Sequence, residues 1–490
     1  MNRQNLTTIL KYAKRLAPIP NVPYLYQPVF QEIVTILEEL GIDHKSNATN
    51  FHHGVWDSDE YALYIYFQRG KATSPLIIDS HLDHPGFVGT GKDSALALGS
   101  VGFKRINQLL QTDKLDINVY NEQGHKISNG ILDSPITNSR RPLYTVKSDC
   151  EIKPNYHIQW ALPEFGISDS NIFMYSADNM IVTDIALAII EDIVANPIKY
   201  KDLNVMFIFT FLEEVFEISA SGIASRRKTP FMKLDDSSTI IVLECMQLVP
   251  LLKKDTDFQL KRDLSRFRVL DDNFSYEKSS RKEYESSEHV HSLYNLFGVQ
   301  LPNYYDGPLI KINDVDCVYG LHFPSASNRA EDMLVQTALD LKIKFQHTIS
   351  GGACNGTAFS LFPITSNIAS VVVPNPWKHN MDEQGRLVSE KVNIADISSV
   401  YSLITEVITR YVDLEHVSPH EQSMSKQLKT TISIPADILK KMKSEREWLA
   451  WRAKPQLSSG IFFPEKVIDS FRITSRSVTS KFRELLKIHL

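Results

Sequence analysis

Residue types that bind divalent metal recur at five places in this chain: His81-Leu82-Asp83, Asp178-Asn179, Glu213-Glu214, Glu244 and His379. Each sits at or just past a stretch that reads as a buried strand or the turn after it. Two divalent ions a few ångströms apart need one bridging carboxylate, about two further ligands each, and a separate base for the water between them. The chain holds a candidate for every role, so the chemistry implied is hydrolysis at a pair of metal ions.

The elements that must position these residues can be read from hydrophobic patterning. Pro75 to Ser80 is apolar and β-branched before it turns polar, which predicts a strand delivering His81 and Asp83 to the same side of an extended backbone. An acid so placed orients the imidazole of a ligand. Asn204 to Leu212 is too apolar for an edge strand and ends in Glu213-Glu214. If that strand continues, the two carboxylates point to different sides, one to bind metal and one to act as general base with its pKa raised by burial. Thr239 to Leu243 ends in Glu244, and Ile368 to Pro374 leads into the loop carrying His379.

Each residue taken alone has an ordinary structural explanation. A lone His near a strand end is more often a hydrogen-bonded core or surface group than a ligand. Paired Glu after a strand is usually a solvated turn, and Asp178-Asn179 would pass as a helix N-cap before Met180-Ile181-Val182. Co-occurrence is what raises the set above these readings. Several hydrophobic strands each end in a metal-selecting residue, and active sites of α/β sheets lie at the carboxyl ends of strands.

Over about Leu6 to Leu414, with interruptions, the chain resembles the dinuclear zinc aminopeptidases of the glutamyl or deblocking type, whose relatives build tetrahedral assemblies. Ser80-His81-Leu82-Asp83-His84-Pro85-Gly86-Phe87 is similar to the family's His-x-Asp-Glu-x-Gly-Phe, and Phe209-Thr210-Phe211-Leu212-Glu213-Glu214-Val215 to its Phe-Thr-x-x-Glu-Glu-Val. Weaker matches are Ala177-Asp178-Asn179 to Leu-Asp-(Asp/Asn)-Arg and Gly351-Gly352-Ala353-Cys354-Asn355 to Gly-Gly-Thr-Asp-Ala. The resemblance implies that His81 and Glu244 bind one metal, Glu214 and His379 the other, and that Asp178 bridges them. It makes Glu213 the general base and Asp83 the partner of the His81 imidazole. The implied cofactors are two divalent ions, zinc in the first place with cobalt or manganese as alternatives. They would polarise the scissile carbonyl of a peptide substrate and bring the pKa of a bound water to about 7. Homo-oligomerisation is implied as well. The chain departs from the pattern at His84-Pro85, at Met180 in place of Arg, and at Ala353-Cys354-Asn355, none of which is among these ligands.

Two rival motifs carry less. Gly86-Phe87-Val88-Gly89-Thr90-Gly91-Lys92-Asp93 nearly matches a phosphate-binding loop, but Asp93 stands where Ser or Thr would hold magnesium, and Ser94 to Phe103 lacks the apolar period of an opening helix. Cys354 with His347 or His379 would make a thiol nucleophile and base, yet a Cys in a Gly-rich turn is more often a small packed residue. Cys150, Cys245, Cys317 and Cys354 are scattered without Cys-x-x-Cys spacing, which suits a reduced compartment.

At 490 residues and 43% hydrophobic content the chain can bury a large core and should divide into two or three domains. A net charge of -5 makes no electrostatic case for nucleic acid or an anionic membrane as the main partner. Met1 to Pro18 reads as an amphipathic helix without the features of a secretory signal, and no apolar run is long enough to span a bilayer. The expectation is a cytoplasmic protein.

The fold predicted is α/β, a mixed twisted sheet flanked by helices, zinc-peptidase-like, with a small inserted β-rich domain. Residues 1–86 and 166–414 would form the metallopeptidase domain and 87–165 an inserted β-rich domain, at the point where the resembling family carries its lid or dimerisation domain. Helices are expected over Leu6 to Arg15, Gln27 to Leu40, Asp178 to Ala195, Arg329 to Leu341 and Asn393 to Leu414. On the third of these, Ile181, Ile185, Ala188, Ile189 and Ile193 suggest one apolar face, and the helix dipole would favour an anion at Asp178. Residues 251–303 read as a charged insertion, either a solvated loop or a substrate-gating element. Residues 415–490 are net basic, with about 14 Lys and Arg against about 8 Asp and Glu. They read as a packed appendage or as a docking module for a protein partner, an exposed Trp448 and Trp451 favouring docking. Two functions of different class follow: a metallo-aminopeptidase, or a catalytically silent relative acting as a binding or regulatory protein.

Overall fold

The computed structural model describes residues 3–42, 51–55, 62–248 and 302–423, with short breaks at 100–102, 112, 137–142, 216, 312–313, 317–319, 323–327, 349–353, 362–363, 383 and 419. The charged insertion apart from 302–303, the basic segment beyond 423 with its two Trp, and Cys317 lie outside the described residues.

Helices α1 (Arg3–Leu16) and α2 (Gln27–Glu39) precede strands β1 (Phe51–Val55), β2 (Ala62–Arg69) and β3 (Leu76–His81). A closed barrel follows, made of β4 (Gly86–Gly91), β5 (Ser94–Leu98), β6 (Leu115–Tyr120), β7 (Lys126–Pro135), β8 (Leu143–Ser148) and β9 (His157–Trp160), with α3 (Phe103–Leu109) between β5 and β6. Then come β10 (Phe165–Ser168), β11 (Asn171–Met174), α4 (Ala177–Ala195), β12 (Leu203–Thr210), α5 (Ile218–Arg226) and β13 (Thr239–Met246). The remainder is β14 (Leu309–Lys311), β15 (Asp314–Asp316), β16 (Gly320–His322), α6 (Arg329–Asp340), β17 (Gln346–His347), α7 (Asn355–Leu361), β18 (Ile368–Pro374), β19 (Glu390–Asn393), α8 (Ile394–Thr409) and α9 (Tyr411–Leu414).

The main sheet has eight strands in the order β1-β2-β12-β3-β13-β18-β14-β17. Its centre, β12-β3-β13-β18, is parallel, and antiparallel pairs flank it on both sides. Strands buried on both faces should be apolar at every position rather than at alternate ones, and β12 and β13 are buried at all eight of their residues. The alternation shows instead in where the side chains go. Val205, Phe207 and Phe209 of β12 join the core containing α1, α2, α4 and α8, while Met206 and Ile208 join the core containing α5 and α7. Each such side chain contributes about 1.5–3 kcal/mol by leaving water.

Helix α4 lies at the centre of the first core. Every residue from Ala177 to Ile190 is buried, so the single apolar face expected from its spacing is in fact an apolar surface nearly all round, as a helix packed between a sheet and other helices requires. It touches α1, α8, β3 and β13. The closing helix expected over Asn393 to Leu414 is two helices, interrupted at Arg410, which leaves helical geometry at φ -104° and ψ 14°.

The barrel has its own interior, where Phe87 meets Trp160 edge-on at 4.9 Å and Tyr144 at 5.8 Å between ring centroids. β4 turns directly into β5 through Lys92 and Asp93, both at positive φ. The near phosphate-loop motif is therefore a hairpin, with no helix behind it. At the other end of β5, Gly99 has φ +78°, and a Cβ there would come within 3.2 Å of both Glu214 and Pro85. The barrel edge thus abuts the ends of the central strands.

Candidate active site

Because β12, β3, β13 and β18 run parallel, their carboxyl ends open on one edge of the sheet. His81 is the last residue of β3 and pairs in register with Thr210, the last of β12. Glu244 lies in β13 opposite Val372 of β18. Glu213 and Glu214 are not on a continuing strand: β12 stops at Thr210, and Leu212 at φ +70° turns the chain so that both carboxylates leave from the same bend. His379 sits in a short turn after β18, at φ 57°.

Asp178 stands in the first turn of α4 but outside helical geometry, at φ -85° and ψ 102°, and its peptide bond to Asn179 is cis. Its main-chain N–H donates to Glu390 Oε2 at 2.6 Å instead of pointing freely along a helix axis. Asn179 Nδ2 donates to the carbonyl of Leu243 at 2.8 Å, tying this corner to the strand that carries Glu244.

The five candidate ligands converge as two groups that share Asp178: His81, Asp178 and Glu244, and Asp178, Glu214 and His379. Within each group the ligand atoms lie within 4.8 Å of one another, a span that suits a single metal ion. Asp178 faces the two groups with different oxygens. Its Oδ1 is 3.5 Å from His81 Nε2, and its Oδ2 is 3.3 Å from His379 Nε2. Glu244 Oε1 is 3.4 Å from His81 Nε2, and Glu214 Oε1 is 3.0 Å from His379 Nε2. Glu213 Oε2 stands 3.8 Å from His81 Nε2.

His81 Nδ1 lies 3.0 Å from the main-chain carbonyl of Asp83 and 3.7 Å from its carboxylate. A carbonyl only accepts, so Nδ1 donates to it, and Nε2 is the ring nitrogen that faces Asp178 and Glu244. The Asp83 carboxylate is engaged elsewhere: Oδ1 accepts the N–H of Glu213 at 2.9 Å and Oδ2 that of Glu214 at 3.1 Å.

Packing acids and imidazoles this closely shifts their proton affinities. Burial acts against the charged form of His81, but Glu213, Glu244 and Asp178 outweigh it and raise its pKa well above the ordinary value. Burial likewise opposes His379, and Glu214 and Asp178 bring it up to about 9. Burial would raise Asp178, yet Lys378, His379 and His81 hold it well below the usual carboxylate range. For Glu214 burial is outweighed by His379, which lowers it. Burial pushes Glu213 well above its usual range against the pull of His81, with Glu214 and Glu244 adding to the rise. Neighbouring carboxylates thus shift in opposite directions, Glu214 down and Glu213 up.

Several residues at this site escaped the sequence reading. Glu390 of β19 accepts main-chain N–H groups from both Asp178 and His379. His84, noted only as a departure from the family pattern, donates through Nδ1 to the Asp178 carbonyl, and its Nε2 is 3.0 Å from Asn380 Oδ1. Lys378 places its Nζ 2.9 Å from Asp178 Oδ2. Nothing local marks Glu390, which sits among polar residues just before α8. Cys354 is buried, 3.7 Å from Lys311 Nζ and from Ser370 Oγ, as a packed residue would be.

No family model matches the chain, and no curated protein does. Solved structures do match. A TET aminopeptidase from a marine sediment archaeon of the Thaumarchaeota is 13% identical, with 83% of this chain and 98% of that one covered at a TM-score of 0.56. An aminopeptidase from the archaeon Desulfurococcus kamchatkensis is 14% identical over 85% and 99%, at 0.54. The Pyrococcus horikoshii TET1 peptidase, which can assemble into a tetrahedron or a large octahedral shell, is 14% identical over 82% and 99%, at 0.53. The chain has the α/β fold of the tetrahedral aminopeptidases.

Proposed function

We propose that this chain is a metal-dependent aminopeptidase that removes N-terminal residues from peptides. The observation that carries the reading is the pair of His/carboxylate groups sharing Asp178, one through each oxygen, at the carboxyl edge of the parallel strands. His81 and Glu244 would hold one ion, Glu214 and His379 the other, and Asp178 would bridge. The donor set fits such ions. His81 Nε2, both Asp178 carboxylate oxygens and Glu244 Oε2 are buried with no hydrogen-bond partner among the described residues, and buried polar atoms left so are costly unless something binds them. Imidazole with carboxylate suits zinc, with cobalt or manganese as alternatives.

When bound, the ions supply polarisation of the scissile carbonyl and activation of the attacking water. Glu213, whose Oε2 stands 3.8 Å from His81 Nε2, would accept the proton of that water as a carboxylate and return it to the leaving amine. Asp83 fixes the bend carrying Glu213 and Glu214, and its carbonyl fixes the His81 tautomer. The barrel would serve as the lid or dimerisation element beside the site, and homo-oligomers are proposed by analogy of fold.

Metal analysis of the purified protein with a panel of free-amine and N-blocked peptides tests this. The expected result is about two ions per chain and turnover confined to free-amine peptides, abolished by chelation and restored by zinc, cobalt or manganese. Bound metal with no turnover on any peptide would favour the silent binding protein instead.

A further inference from the structure

The two halves of the candidate metal site are not equivalent. In the first, His81 Nε2 and Asp178 Oδ1 have no hydrogen-bond partner among the described residues, and Glu244 Oε1, 3.4 Å from His81 Nε2, accepts the main-chain N–H of Cys245 at 3.0 Å. In the second, His379 Nε2 and Glu214 Oε1 already meet at 3.0 Å, and the oxygen that Asp178 turns toward them, Oδ2, lacks a hydrogen bond as Oδ1 does but carries an ion pair with Lys378 Nζ at 2.9 Å. The same ammonium interacts electrostatically with Glu244, Glu214 and Glu213. Lys378 immediately precedes His379, so its reach into the site is tied to the turn that delivers that imidazole.

Two divalent ions would by themselves match the four carboxylates of Asp178, Glu213, Glu214 and Glu244. A retained ammonium adds a further positive charge next to the bridging carboxylate, and like charges a few ångströms apart in a buried site repel strongly. The Lys378 side chain is still 21% exposed, which leaves it a path out toward solvent. We propose that Lys378 is a built-in cation of the His379 half-site, so that the chain loads metal in two unequal steps: a first ion at His81, Asp178 and Glu244, and a second that binds at Asp178, Glu214 and His379 only by displacing the ammonium.

This rests on the metal-site reading above and deepens it by assigning an order and a competitor. The competition is intramolecular, so the penalty on the second ion does not depend on any added ligand. Arginine at this position would keep the charge, and glutamine would remove it while preserving a polar side chain.

The test is titration of the metal-free full-length protein with Co2+ alone, followed by its visible absorption and by calorimetry, for wild type, Lys378→Gln and Lys378→Arg. Wild type and Lys378→Arg should bind two ions with affinities at least tenfold apart. Lys378→Gln should bind the second at least tenfold more tightly than wild type does. His379→Ala should lose the second step. Two equal sites in wild type, or an unchanged gap in Lys378→Gln, would overturn the proposal and leave the metal-site reading standing. No binding by wild type or any Lys378 variant would overturn both.

Discussion

The main-chain N–H of Glu213 donates to Oδ1 of Asp83 at 2.9 Å across 130 positions of sequence. With the matching bond from Glu214 to Oδ2, one buried carboxylate holds the bend after β12 against the end of β3. The spacing between the candidate base and the candidate ligands is therefore held by a side chain that belongs to neither ligand group.

Asp83→Ala should leave two buried N–H groups without an acceptor, each costing about 1–3 kcal/mol. The expected outcome is a lower melting temperature and metal affinity reduced by about 10–100-fold, the usual loss when support behind a ligand is removed. Asp83→Asn, which keeps one acceptor oxygen, should fall between. Thermal melts and chelator competition measure both, and a variant with wild-type affinity would remove Asp83 from this role.

Glu213→Gln should retain its metal while turnover falls by about 10²–10⁴-fold, the contribution typical of a general base. Metal analysis and peptide assay on the same preparation check it. Undiminished turnover would exclude Glu213 as the base.

His81→Ala should lower bound metal from about two ions to about one, whereas Asp178→Asn should weaken both sites because one carboxylate faces both groups. Elemental analysis after gel filtration distinguishes the two patterns. Equal losses in both variants would argue against a bridging Asp178.

His157 offers a pH test away from the site. Burial brings its pKa down to about 3, and Nδ1 has no hydrogen-bond partner among the described residues. The unfolded chain protonates near its ordinary value of about 6.5, so between there and about 3 the unfolded state binds more protons and stability falls as pH falls. The loss should be of the order of 2 kcal/mol by pH 5. His157→Gln should flatten this limb of the stability curve in denaturant titrations at pH 7 and pH 5, and a parallel slope in both proteins would contradict it.

Much of the architecture was legible locally. The runs ending at His81, Glu213, Glu244 and Pro374 are apolar over lengths that only buried strands sustain, and β3, β12, β13 and β18 occupy them. Helix ends were legible for the same reason, as at α2, which stops just before Gly41. The bend at Leu212 and the break at Arg410 were not, because neither a positive φ at a leucine nor a non-helical arginine inside an apolar helical pattern has a signal in residue type.

By itself the sequence determined which residue types stand at which strand ends, since hydrophobic periodicity and chain order are local properties. Tertiary structure alone decided that β3 lies between β12 and β13, which brings His81 beside residues more than a hundred positions away. It also decided that Asp178 turns one oxygen to each imidazole, that Glu390 steadies both Asp178 and His379, and that Lys378 points inward. Side-chain direction in a turn has no period to read, and a charged residue beside a histidine looks the same in sequence whether it faces water or a buried carboxylate.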